Sequence, residues 1–143
     1  MGIFANLFGS KKLTRHDADF GEMECIRIKG NEVSWKIHQR FFNTDIDILI
    51  GGNQDGIDEN QKQILLSALH NEPQIKSESE EALQQEFVNA EMEFESIEKH
   101  FDLTGMNIHA TGFEISFQEK NDPYYYFNVH FENNQHVGVS IDS

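Results

Sequence analysis

The stretch VSWKIHQRFFNTDIDILIGG, residues 33–52, decides the fold. Val33, Trp35 and Ile37 alternate with Ser34, Lys36 and His38; beyond Asn43, Ile46, Ile48 and Ile50 alternate with Asp45, Asp47 and Leu49. Successive side chains of a strand point to opposite faces, so a period of two predicts two strands that each bury one face. Upstream, the apolar-rich run from Met23 to Ile28 stops at Gly30-Asn31, a pair that tolerates positive φ in a tight turn. Together the three segments predict an antiparallel meander with Trp35 and the isoleucines facing inward.

Outward from the meander the period changes. GGNQDG, residues 51–56, stops the sheet, and Asp58 followed by Gln61 has the spacing of a capping box that opens a first helix. Ile64, Leu65, Ala68 and Leu69 form its buried stripe, and Pro73 can open a second helix at its first position. In the second, Leu83, Phe87, Ala90, Phe94, Ile97 and Phe101 fall within about 80° of arc at 100° per residue, a narrow apolar seam running to Phe101. Asn89 is the point at which that helix could break. After Gly105 the period of two returns: Met106 and Ile108; Phe113, Ile115 and Phe117; a long strand through Tyr124, Tyr126, Val129 and Phe131 with a bulge near Phe127; then Val137, Val139 and Ile141. The expectation is one α+β domain over residues 1–143, a largely antiparallel sheet of six to seven strands with two central helices packed on it, in the order βββ-αα-ββββ.

Composition narrows the partners. The 25 acids against 11 Lys and Arg give a formal charge of −14, which opposes nucleic acid and anionic membrane surfaces, since phosphate binding needs clustered cations. A basic protein is the partner that such a field steers in. Cys25 is the single cysteine, so no intrachain disulfide forms, and its place in MECIRI is that of a small buried hydrophobe. A reducing compartment, the absence of an apolar run of membrane-spanning length and the lack of a secretory signal make the cytoplasm the expected location. At the start of the chain, Ile3, Phe4, Leu7 and Phe8 share one helical face before Lys11 and Lys12, an amphipathic segment over residues 1–12 that docks on the domain or frays.

No reaction is marked. His16-Asp17-Ala18-Asp19 is the one compact metal-like cluster, and no spacing supplies the ligands that would complete it. The remaining histidines are scattered singly, no serine sits in a Gly-x-Ser-x-Gly elbow, and GGNQDG lacks the Gly-Lys-Ser/Thr ending of a phosphate loop. The sequence therefore implies no catalytic residue, no cofactor and no metal.

What remains is acid. From residue 72 to residue 99 there are nine glutamates against two lysines, a local charge of −7. On a continuous helix Glu91, Glu95 and Glu98 stand on one flank of the seam, where like charges cost a few tenths of a kcal/mol per pair. Either a solvated face or a surface built for a basic partner explains that ridge.

Three segments carry a family likeness: FGEME around Phe20, then VSWKIHQRFFNTDIDILIGGNQDGIDENQKQILLSAL, and the closing YYYFNVHFENNQHVGVSIDS. They resemble a group of small acidic bacterial α+β domains of unknown function, some of which are regarded as immunity proteins that bind and neutralise a toxin. The resemblance implies the same role here and assigns no functional residues.

The sequence thus points to a non-catalytic protein-binding domain facing a basic partner. The candidate contacts are Glu91, Glu95 and Glu98, with Glu78 and Glu81 as a second patch and Tyr124 and Tyr126 as anchors, tyrosine being enriched at interface hot spots. A hydrolase or metal-dependent enzyme, with His16 and Asp19 converging on His109 or His130, is one alternative. An adaptor whose acidity only keeps it soluble is another.

Overall fold

The structure, a computed structural model, describes residues 13–143; the amphipathic segment expected over residues 1–12 lies outside them. The chain runs β1 (Thr14–Asp17), β2 (Gly21–Lys29), β3 (Glu32–Phe41), β4 (Thr44–Asn53), β5 (Gly56–Ile57), α1 (Glu59–His70), α2 (Glu72–Asn89), α3 (Ile97–His100), β6 (Phe101–Ile108), β7 (Phe113–Glu119), β8 (Tyr126–Glu132) and β9 (Gln135–Asp142). The nine strands of the described residues form one sheet in the order β1-β2-β3-β4-β6-β7-β8-β9, with β5 paired to β4. Each half is an antiparallel meander, and the halves meet where β4 and β6 run parallel, Ile48 opposite Met106. A parallel pair needs a crossover connection, and the helices supply it.

The α+β class and the mostly antiparallel sheet are as expected; the element count is not. β1 adds a strand before the predicted meander, and GGNQDG does not end the sheet, because β4 continues to Asn53 and the chain folds back as β5. Gly52 permits that close return, since a Cβ there would lie 2.1 Å from the Gly56 carbonyl oxygen. Among the described residues there are three helices rather than two, because the second ends at Asn89 and not at Phe101. Phe101 instead begins β6, and Tyr124 and Tyr125 lie in the turn before β8 rather than within it. The bulge lies between His130 and Phe131, where Val137 of β9 is the extra residue, and not near Phe127.

Alternation gives the sheet one dry face. Val33, Trp35, Ile37, Ile46, Ile48, Ile50, Ile115, Phe117 and Val129 are buried, as are Leu65 of α1 and Ile75, Leu83 and Phe87 of α2. Trp35 meets the cost of burying its indole N–H by donating to the Asn53 carbonyl at 3.0 Å. The opposite face, with Ser34, Lys36, His38 and Arg40 on β3, is half-buried to exposed. Tight turns join the strands, and that of Asn133-Asn134 has positive φ at both residues, as a two-residue hairpin loop requires. Phe42-Asn43 does the same with a phenylalanine at φ 52, stacked on Phe41 at 4.3 Å between ring centroids.

Candidate partner-binding surface

Helix α2 ends by a left-handed reversal. Its C-cap is Ala90, Glu91 follows at φ 57, the Glu91 N–H donates to the Val88 carbonyl at 3.0 Å, and the Met92 N–H donates to the Phe87 carbonyl at 2.8 Å. That is the Schellman pattern, whose left-handed position normally takes glycine because a Cβ there costs about 1 kcal/mol. A glutamate at this position is therefore kept against a local penalty. The turn that follows holds Glu91, Met92, Glu93 and Glu95 exposed, with Met92 at 49 %.

The turn is pinned from beneath. Phe94 packs edge-on against Phe87 at 5.4 Å and stacks on His100 at 5.3 Å, while the Glu95 N–H donates to His100 Nε2 at 3.0 Å. One residue later the chain enters β6, and the His100 carbonyl accepts from the Lys120 N–H at 2.9 Å. Glu119 in turn donates its N–H to the Tyr125 carbonyl at 3.0 Å. This chain of contacts puts the acidic turn and the tyrosine turn at the same end of the sheet. Tyr124 is 81 % exposed there.

The charge at this end is unbalanced. Burial holds the Glu119 carboxyl above the usual glutamate value, the neighbouring Asp122 raises it further, and His100 offsets this only in part. Glu91, Glu93 and Glu95 make no ion pair with the described residues. Beside them Phe42, Ile97, Phe101 and Leu103 line a cleft of about 180 Å³ rimmed by Lys76 and Lys120. It is below the roughly 300 Å³ at which small-molecule sites begin and fits a single protruding side chain.

The other expected contacts are placed elsewhere. Glu78 is half-buried on α2, where its Oε1 accepts from the His136 N–H at 3.0 Å and from His136 Nδ1 at 2.8 Å, so it clamps the helix to β9. These bonds, the backbone one first, hold its carboxyl below the usual value. Glu98 is not on a flank shared with Glu91 and Glu95, because the helix has ended; it pairs with Lys76, whose hydrogen bond lowers its pKa. Glu81 is exposed on α2. Tyr126 turns to the helix-free face, where its hydroxyl meets Gln118 Nε2 at 3.1 Å.

The acids near the start of the chain hold a lysine. Lys62 of α1 reaches Asp17 Oδ2 at 3.0 Å and Asp19 Oδ2 at 2.7 Å, tying the helix to the β1–β2 turn. Among the described residues no three His, Cys, Asp or Glu side chains group as metal ligands, and Asp19 does not meet His109 or His130.

One constellation has no signal in the sequence. On the helix-free face His130 Nδ1 lies 3.3 Å from Glu114 Oε2 and its Nε2 lies 2.8 Å from Ser140 Oγ, an acid–imidazole–hydroxyl series across three strands. Beside it Ser116 Oγ donates to Asn128 Oδ1 and Asn128 Nδ2 donates to Asp142 Oδ2, both at 2.7 Å. A nucleophilic hydroxyl also needs donors aimed at an oxyanion. Here Ser140 stands on a strand face whose neighbours are the side chains of this network, so the series locks β7, β8 and β9 together.

No protein-family model, curated protein or solved structure matches the chain. No helix among the described residues is long and apolar enough to cross a membrane.

Proposed function

We propose that this is a non-catalytic protein-binding domain that takes a basic partner at the sheet end built by residues 90–96 and the tyrosine turn. The observation that carries the reading is the convergence there of Glu91, Glu93 and Glu95, which make no ion pair with the described residues, with Tyr124, 81 % exposed. Glu78 and Glu98 are already engaged within the fold, by His136 and by Lys76. Lysines or arginines of the partner would answer these three glutamates, and Tyr124 and Met92 would supply apolar contact. The cleft below receives one side chain of the partner. Following the resemblance to immunity domains, the partner is a basic toxin domain, met in the cytoplasm.

Charge reversal tests it. Glu91→Lys, Glu93→Lys and Glu95→Lys together should slow association about tenfold or more at low salt, since steering is lost, while the melting temperature stays within a few degrees. Unchanged association kinetics would refute the site.

A further inference from the structure

The cleft beside the acidic turn has a chemistry of its own. Phe42, Ile97, Phe101 and Leu103 wall a space of about 180 Å³. A cavity of about 150 Å³ lined by leucine, isoleucine and phenylalanine takes one benzene, so this cleft has room for a single aromatic ring. The rim selects against charge. Lys76 pairs with Glu98, while Lys120 donates to the Glu98 carbonyl and lies 3.9 Å from Asp102. Two ammonium groups and two carboxylates thus cancel around the mouth, and a side chain of either sign would lose water there without gaining a partner. One wall is held in a disfavoured backbone. Phe42 has φ 52 in a two-residue turn, a conformation that suits glycine or asparagine and makes a bulky residue an outlier. Its ring stacks on Phe41 at 4.3 Å yet stays half-buried, on the wall of the cleft. Outliers of this kind gather at ligand clamps.

We propose that the cleft is the anchor pocket for an aromatic side chain, a tyrosine or phenylalanine, which the basic partner carries beside its lysines or arginines. The inference rests on the proposed function and narrows it: the acidic turn draws the cations, and the cleft holds the ring. Phe42 and Phe101 offer the offset or edge contacts that aromatic pairs prefer and that an aliphatic side chain does not match. Lys76 and Lys120 turn a partner lysine away from the cleft, so it stays at the turn with Glu91, Glu93 and Glu95.

The test titrates the full chain, observed by methyl NMR, with the peptide acetyl-Lys-Lys-Tyr-Lys-Lys-amide and with its analogue that has alanine for tyrosine. The tyrosine peptide should produce ring-current shifts at the Ile97 and Leu103 methyls and bind about tenfold tighter than the analogue, which should shift neither. Phe42→Asn suits the left-handed turn but removes the wall, so it should bring the two peptides to the same affinity. In Glu91→Lys/Glu93→Lys/Glu95→Lys both peptides should weaken while their ratio holds. A failed charge reading therefore shows as affinities that the triple variant leaves alone, and a failed pocket as a ratio of one in wild type. Equal binding of the two peptides to wild type, shifts that spare Ile97 and Leu103, or an undiminished tyrosine preference in Phe42→Asn would overturn the proposal.

Discussion

Glu78 accepts two hydrogen bonds from one residue, His136: the backbone N–H at 3.0 Å and ring Nδ1 at 2.8 Å. The pair joins the middle of α2 to the start of β9 across 58 residues of sequence. Because the folded carboxyl titrates below the unfolded one, the stability it contributes is full above about pH 4.5 and is lost as pH falls through the folded value. Glu78→Gln keeps an acceptor oxygen but loses the charge. It should cost about 1 kcal/mol at neutral pH, and the difference from wild type should vanish toward pH 3. Urea melts at a series of pH values check both.

Gly112 should be irreplaceable. A Cβ there would lie 1.9 Å from the Phe131 carbonyl oxygen, a backbone atom that cannot swing aside. Gly112→Ala should therefore lower stability by about 2 kcal/mol or more, read as a fall in Tm.

Ser79 lies fully buried on α2, and its hydroxyl has no hydrogen-bond partner among the described residues. Burying an unpaired hydroxyl costs about 1 kcal/mol or more, so Ser79→Ala should stabilise the protein by roughly that amount. A lower unfolding midpoint would show that the hydroxyl is satisfied in solution.

Glu91 gives a prediction in which stability and function part company. Glycine at this left-handed position relieves the backbone at some cost in unfolded-state entropy, so Glu91→Gly should gain about 0.5 kcal/mol. The same substitution removes one of the three carboxylates of the acidic turn and should weaken capture of a basic partner. A gain in stability with undiminished binding would make Glu91 a bystander.

Alternation in residues 33–52 made the central strands legible, because one-sided burial leaves a period of two in the chain itself. Asp58 likewise announced α1, and its side chain does accept from the Gln61 N–H at 3.0 Å. The Gln61 side chain, however, accepts from the Gly51 N–H at 2.9 Å instead of reaching back to the cap, a contact ten residues away that spacing cannot foretell. The end of α2 misled for a related reason. Phe87, Phe94 and Phe101 keep helical spacing because all three enter one aromatic cluster, but they reach it from a helix, a turn and a strand. No glycine marks the reversal at Glu91, so the acids looked like a helical ridge. The Glu114–His130–Ser140 series was invisible because its members are brought together by register between strands, which no local pattern records.

Capture of partners from native lysate, with wild type and the Glu91→Lys/Glu93→Lys/Glu95→Lys variant side by side at low and moderate salt, tests the central claim most directly. Wild type should retain one basic protein in near-equimolar amount and release it as salt rises, and the variant should retain little of it. Equal retention by both proteins, or a partner that is itself acidic, would contradict the account.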